Sequence, residues 1–285
     1  MGDALQTVAI AGVGLIGGSF GLALRKRGFP GRIVGISSPR TIQTAIERGA
    51  IDEGVTLEAA AADADLIFLA QPISVILETI DALVPLARPN CLVTDAGSTK
   101  VRICESASRL PRFLGGHPMA GKEQPGIASA DPDLFCERPW ILTPPKGVIS
   151  NTLLESEYLG WIETCGSVPV VLTPQQHDQT VAWTSHLPQL ASTCLASVLH
   201  SQLNANKVSQ VSGPGLRDMT RLALSPWPVW RDILSTNAVA IDHVLGVYID
   251  KLTEMRENLQ TQRTGEEFTI AAEIAHKIRR GAQKL

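Results

Sequence analysis

The sequence predicts an α/β chain, with a parallel-sheet domain over residues 1–172 followed by an all-helical domain over residues 173–285. Three observations carry this. Up to Leu172, short β-prone apolar runs alternate with helical segments, the rhythm of a parallel sheet covered by helices. A glycine-rich turn, Gly12-Val13-Gly14-Leu15-Ile16-Gly17, leads from the first run directly into a helix. Beyond Leu172 the strand signals stop and helix-start signals recur.

The apolar runs are Thr7 to Ala11, Arg32 to Ile36, Leu66 to Ala70, Cys91 to Thr94, Trp140 to Leu142 and Val168 to Leu172. The helix opened by the glycine turn is expected to end near Gly28. In the next helix Ser38 suits the cap, Pro39 the first helical position and Gly49 the exit. Pro144-Pro145-Lys146-Gly147 reads as a surface loop between a strand and a helix. In the second half, Thr173-Pro174-Gln175-Gln176 has capping-box spacing, and further helix starts fall at Ser225-Pro226 and at Thr264 with Glu267. Ile241, Leu245, Tyr248, Leu252, Met255 and Leu259 repeat at steps of four and three. Such a seam needs a partner helix, from the same domain or from a second subunit.

A hydrophobic content of 44% in 285 residues supports one large core or two modest ones. The formal net charge of −3 argues against nucleic acid or an anionic membrane as a partner, since both call for a concentrated basic surface. The five cysteines are widely spaced and lack a Cys-x-x-Cys pair, which fits reduced thiols in a cytoplasmic protein and no metal site. No apolar run is long enough to span a membrane, and the N-terminus lacks the pattern of a secretion signal.

The glycine turn makes the first domain Rossmann-type. Gly12 permits the tight turn, Gly14 lets a pyrophosphate approach the backbone, and Gly17 permits close helix packing; Leu15 and Ile16 open the helix whose N-terminus favours the anion. Gln71 and Pro72, after the Leu66 to Ala70 run, are assigned to the same cofactor site. At the end of the second run there is no acidic residue to select NAD through the ribose hydroxyls. Ser37, Ser38 and Arg40 stand there instead and suit a 2′-phosphate, so NADP is the expected cofactor and NAD the alternative. Equally, Ser38 acting only as a cap and Arg40 only as a solvated side chain would leave the choice open.

Four ordered motifs, Asp95-Ala96-Gly97-Ser98-Thr99-Lys100, Gly115-Gly116-His117-Pro118-Met119-Ala120-Gly121, Ser185-His186-Leu187-Pro188 and Gly215-Leu216-Arg217-Asp218-Met219-Thr220-Arg221, resemble the prephenate and arogenate (cyclohexadienyl) dehydrogenases of tyrosine biosynthesis. The resemblance spans both domains. It implies oxidative decarboxylation of a cyclohexadienol, hydride leaving ring C4 for a nicotinamide, and a homodimer through the helical domain. By the same resemblance His117 is the base at the C4 hydroxyl and Ser98 orients hydroxyl and histidine, unless Ser98 serves only as a helix cap. Arg221 grips a substrate carboxylate. Arg217, four residues earlier, binds a second anionic group or pairs with an acidic residue, and His186 supports the cleft or is structural. Trp230 lies near the substrate or in the core. The glycines and Pro118 suggest that His117 sits in a loop, and Lys100 is expected either to draw anions in or to be solvated. Gln189 departs from the family pattern, where many prephenate-using relatives carry a second histidine; a neutral amide there favours arogenate, or dual use.

With the chain ending at Leu285, no appended regulatory domain is expected, and tyrosine inhibition is expected at the substrate site. Two other readings remain. A dehydrogenase of the β-hydroxyacid type would need a catalytic lysine and asparagine on an interdomain helix, a setting the isolated Lys207 lacks. A non-catalytic NADP-binding sensor would lack chemistry altogether.

Overall fold

Among the described residues, eight strands form one sheet in the order β3-β2-β1-β4-β5-β6-β7-β8. They are β1 (Thr7–Ala11), β2 (Arg32–Ile36), β3 (Glu53–Gly54), β4 (Leu66–Leu69), β5 (Leu92–Asp95), β6 (Phe113–Pro118), β7 (Pro139–Thr143) and β8 (Val168–Val171). The structure, a computed structural model, describes residues 5–122, 124–145, 147, 152–203, 210–260 and 264–282. Lys146 of the expected surface loop and Lys207 lie outside the described residues.

Strands β1 to β6 are mutually parallel, whereas β6 and β7 pair antiparallel, with His117 opposite Ile141. The sheet is therefore mostly parallel, as expected, with one antiparallel joint. Two strands were also absent from the sequence reading: β3, two residues long, and β6, whose Gly115, Gly116 and Pro118 are poor strand formers. In β6 the glycines are required by close approach. A Cβ on Gly115 would stand 2.1 Å from Thr143 Oγ1, and one on Gly116 would stand 2.6 Å from the Asp95 carbonyl oxygen.

Helices α1 (Leu15–Lys26), α2 (Pro39–Glu47), α3 (Leu57–Asp63), α4 (Ile73–Leu83), α5 (Val101–Ala107) and α6 (Leu153–Thr164) connect the strands. Ser38 caps α2 by accepting from Thr41 N, and Gly28 and Gly49 adopt the left-handed φ that ends a helix. The core gathers around Phe20, Phe68, Phe135 and the fully buried Trp140, with ring centroids 4.7 to 6.0 Å apart for the contacting pairs.

Contacts divide the chain into two units, residues 1–180 with 224–236, and residues 181–223 with 237–285. Helix α7 (Pro174–Val181) closes the first stretch, and its register is set by the expected capping box: Thr173 N donates to Gln176 Oε1 (3.0 Å) and Gln176 N to Thr173 Oγ1 (3.1 Å). The second unit begins with a π-helical turn, Ala182–His186, just before Pro188, whose missing N–H interrupts the regular ladder. It continues as α8 (Leu187–Gln202), α9 (Pro214–Thr220) and a 3₁₀ turn at Arg221–Leu224. Helix α10 (Trp227–Thr236) belongs to the first unit, and α11 (Ala238–Glu257) and α12 (Gly265–Ala282) complete the second. On the α11 seam Ile241 is buried, while Leu252 and Leu259, at the far end, are exposed. Phe268, Ile270, Ile274 and Ile278 of α12 are exposed as well. No described helix is long and apolar enough to cross a membrane.

Candidate active site

The order β3-β2-β1-β4 places the topological switch point between β1 and β4, where the sheet's carboxyl edge opens a crevice for a ligand. The glycine turn lies there. Gly12 has φ +90°, its N–H donates to Ile36 O (2.9 Å), and a Cβ on it would meet the Ala70 backbone and Gln71 at 2.8 Å. A Cβ on Gly17 would stand 2.3 Å from Gly12 O, whereas one on Gly14 would meet nothing within 4 Å. Gly14 is also the N-cap of α1 and offers no side-chain cap. No side-chain cap therefore serves the first turn of α1, where Leu15 and Ile16 lie, and a bare helix start of this kind fits a pyrophosphate. Gln71 and Pro72 follow β4 on one side, with Pro72 at the N-cap position of α4 and Gln71 Oε1 accepting from Thr79 Oγ1. Ser37, Ser38 and Arg40, all exposed, follow β2 on the other side.

Gly17→Ala is expected to force this turn open and weaken nucleotide affinity by about tenfold or more, roughly 1.4 kcal/mol. Calorimetric titration of the folded variant checks it, and unchanged affinity would remove the turn from the site.

His117 lies near the end of β6, not in a loop, and so at the same carboxyl edge. Three strand spacings, on the order of 14 Å, separate β1 from β6. The half-buried imidazole is held at Nδ1 by His177 Nε2 (2.8 Å), and His177 Nδ1 contacts Asp178 Oδ1 (2.7 Å). Asp178 also accepts from Lys100 N (2.7 Å) and Val101 N (2.9 Å), so it caps α5 from a distant segment. Burial holds His177 below the usual histidine range, with the Asp178 hydrogen bond acting against that shift.

Lys100 corrects both expectations for it. It is completely buried and donates Nζ to the Asp95 carboxylate and to Gly116 O (2.7 Å). Asp95 in turn accepts from Gly97 N (2.8 Å) and Gly116 N (3.1 Å), which locks the 95–100 loop to the strand that carries His117. Ser98, half-buried in that loop, does not cap α5, whose N-cap is Lys100.

In the second unit, Arg217 is exposed on α9 and Arg221 is exposed at the following 3₁₀ turn. Buried Gln189 donates Nε2 to Leu222 O (2.7 Å) and Thr193 Oγ1 (3.1 Å), and Ser192 Oγ accepts from Ala223 N (3.1 Å). Helix α8 thus pins the two residues that follow Arg221. His186 is buried and within 3.3 Å of Asn237 Nδ2 through its Nδ1, an inward structural setting. Trp230 is half-buried on α10, which docks on α4 through Asp232: that carboxylate accepts from Ser74 N (2.9 Å) and Ser74 Oγ (2.7 Å). Sequence reasoning missed His177, Asp178 and Asp95. Asp95, an acid ending an apolar run, is the one that had a local signal.

A dinucleotide laid along this edge with its pyrophosphate on the glycine turn would extend over β4 and β5 towards His117, so the fold and site are those of a dinucleotide-binding α/β protein. Residues 20–155 match the family described as "Prephenate dehydrogenase, nucleotide-binding domain", and residues 173–272 match "Prephenate dehydrogenase, dimerization domain". The chain belongs to the prephenate dehydrogenase family. It is 32% identical over 244 residues to a prephenate dehydrogenase of Lactococcus lactis, covering 82% of this chain and 65% of that relative. The chain thus spans just under two thirds of that protein's length. Among solved structures, the prephenate dehydrogenase of Aquifex aeolicus in complex with hydroxyphenyl propionate and NAD+ superimposes with a TM-score of 0.87 at 29% identity, covering 98% of this chain and 99% of that one. The arogenate dehydrogenase of Synechocystis gives a TM-score of 0.79 at 30% identity, covering 96% and 99%.

Proposed function

We propose that the chain catalyses oxidative decarboxylation of arogenate, prephenate or both in tyrosine biosynthesis. The observation that carries this reading is the placement of His117 on the same carboxyl edge as the glycine cradle, on the side of β1 away from Ser37 and Arg40. The cofactor, when bound, accepts the hydride from ring C4. The A. aeolicus relative's complex supports a nicotinamide dinucleotide here. His117 takes the C4 hydroxyl proton, Ser98 orients that hydroxyl, and Arg221 and Arg217 neutralise the substrate's anionic groups. Trp230 and His186 support the substrate's surroundings. Residues 173–285 form the substrate-binding and dimerising half, a reading supported by the dimerization-domain match and the exposed apolar faces of α11 and α12. Five free cysteines support a cytoplasmic setting.

Steady-state turnover with prephenate or arogenate, each with NAD or NADP, tests the reading. Activity with neither cyclohexadienol would overturn it. The neutral amide at Gln189 favours arogenate or dual use, and a large preference for prephenate in kcat/KM would sink that part. For the cofactor, the hydroxyls and guanidinium after β2 favour NADP. Arg40→Glu is expected to lower kcat/KM for NADP by about tenfold more than for NAD, and equal losses would count against the preference.

A further inference from the structure

We propose that His177 and Asp178 are positioning residues that fix the tautomer of His117, directing the lone pair of its Nε2 to the substrate and stabilising its imidazolium while it holds the hydroxyl proton. This rests on the functional reading above for the identity of that proton.

The direction of each hydrogen bond follows from the end of the chain of contacts. Asp178 receives two backbone N–H groups, one at each oxygen, and so acts as an acceptor throughout. His177 Nδ1, 2.7 Å from Oδ1, must then carry the proton. A neutral imidazole has one N–H, so His177 Nε2 is an acceptor. His117 Nδ1, 2.8 Å away, is therefore the donor, and in the neutral His117 ring the lone pair sits on Nε2. The neutral state of His177 agrees with its burial, which holds its pKa below the usual range.

Besides His117 on β6, which touches its Nε2, the charged and titratable groups facing His177 come from three elements: Asp178 on α7, Asp95 at the end of β5, and Lys100 before α5, the last opposing the two carboxylates. Cys104 of α5 is also near this cluster, and burial pushes its thiol up to about 11, so it stays uncharged near neutrality.

The chemistry gives this arrangement a purpose. As the C4–H bond breaks and its electron pair leaves as hydride, the C4 hydroxyl proton moves to His117 Nε2. The ring carboxylate then departs as carbon dioxide, and the electron pair of its bond aromatises the ring to a phenolate. That phenolate takes the proton back from Nε2. The base therefore only borrows the proton, and it must be stable as a cation between the two transfers. A hydrogen-bond acceptor at Nδ1, backed by a carboxylate, supplies that stability.

Two measurements test this. In ¹H–¹⁵N spectra of the imidazole rings, assigned with His117→Gln, wild-type His117 is expected to carry its proton at Nδ1 and none at Nε2. His177→Leu should return it to a mixture of tautomers. In kinetics, His177→Leu is expected to lower kcat by roughly 10²-fold with KM within about twofold, and to move the acid limb of kcat/KM to lower pH, because imidazolium loses its acceptor. His177→Gln, whose amide oxygen can accept from Nδ1 while its nitrogen donates to Asp178, should recover most of kcat. A wild-type ring protonated at Nε2 overturns the proposal, as does a folded His177→Leu protein with unchanged kcat and limb. Should His177→Leu not fold, the wild-type spectrum and His177→Gln decide: a kcat as low as that of His177→Asn, too short to bridge, would overturn it. A tautomer as stated in a protein that turns over neither cyclohexadienol would overturn the functional reading and leave the relay standing.

Discussion

His117→Gln is expected to lower kcat by about 10²- to 10⁴-fold, the usual contribution of a positioned general base, while nucleotide affinity stays within about twofold. The reason lies in where β6 puts the ring. His117 faces Ile141 across the antiparallel joint and sits at the strand end, away from the glycine cradle at β1. A glutamine can occupy the same position but has no basic nitrogen, so a substrate should still bind with its hydroxyl proton left in place. Steady-state kinetics beside calorimetric nucleotide titration checks both halves. A variant retaining more than about a tenth of wild-type kcat would remove His117 from the role of base.

Lys100→Met is expected to destabilise the protein by roughly 3–5 kcal/mol, since removing one partner of a buried ion pair strands the other charge. Asp95 and Lys100 are both fully buried, and the neighbours of Asp95 are hydrogen-bond donors suited to a carboxylate. Methionine fills a similar volume, so the loss is electrostatic and not a cavity. Urea denaturation checks it through the midpoint at unchanged slope. In the double variant Asp95→Asn with Lys100→Met, the stranded charge is gone and part of the loss should return. If the single variant loses less than about 1 kcal/mol, the pair is not what holds the 95–100 loop to β6.

Much of the architecture is readable in the chain because local chemistry and burial agree. The runs at Thr7 to Ala11 and Arg32 to Ile36 became strands with those same ends, and the Ser38 cap and the Thr173 box formed as spacing demanded. Where tertiary contacts decide, the sequence is silent. The segment Phe113–Pro118 is a strand because β5 and β7 flank it and leave space only for hydrogen at two positions, although its residues disfavour a strand. Lys100 looks like a helix-start lysine until the fold brings Asp95 and Gly116 around it. His177 stands 60 residues from His117 and reads as one polar residue of a helical first turn, with no local pattern that tells of the contact. Ser98, by contrast, was marked by a motif and not by its surroundings.

The helices Trp227–Thr236 and Pro174–Val181 both lend carboxylates to the sheet unit, Asp232 to the backbone of Ser74 and Asp178 to the head of Val101–Ala107. The nucleotide-binding half is consequently not a portable cassette. A fragment cut at Leu172 would lose both acids, and the N-cap residues of the two helices, Pro72 and Lys100, give no side-chain cap in their place. Gene fusions or domain exchanges in this family should therefore keep the interleaved segments together with the sheet, because the boundary drawn along the chain is not the boundary along which the structure is self-sufficient.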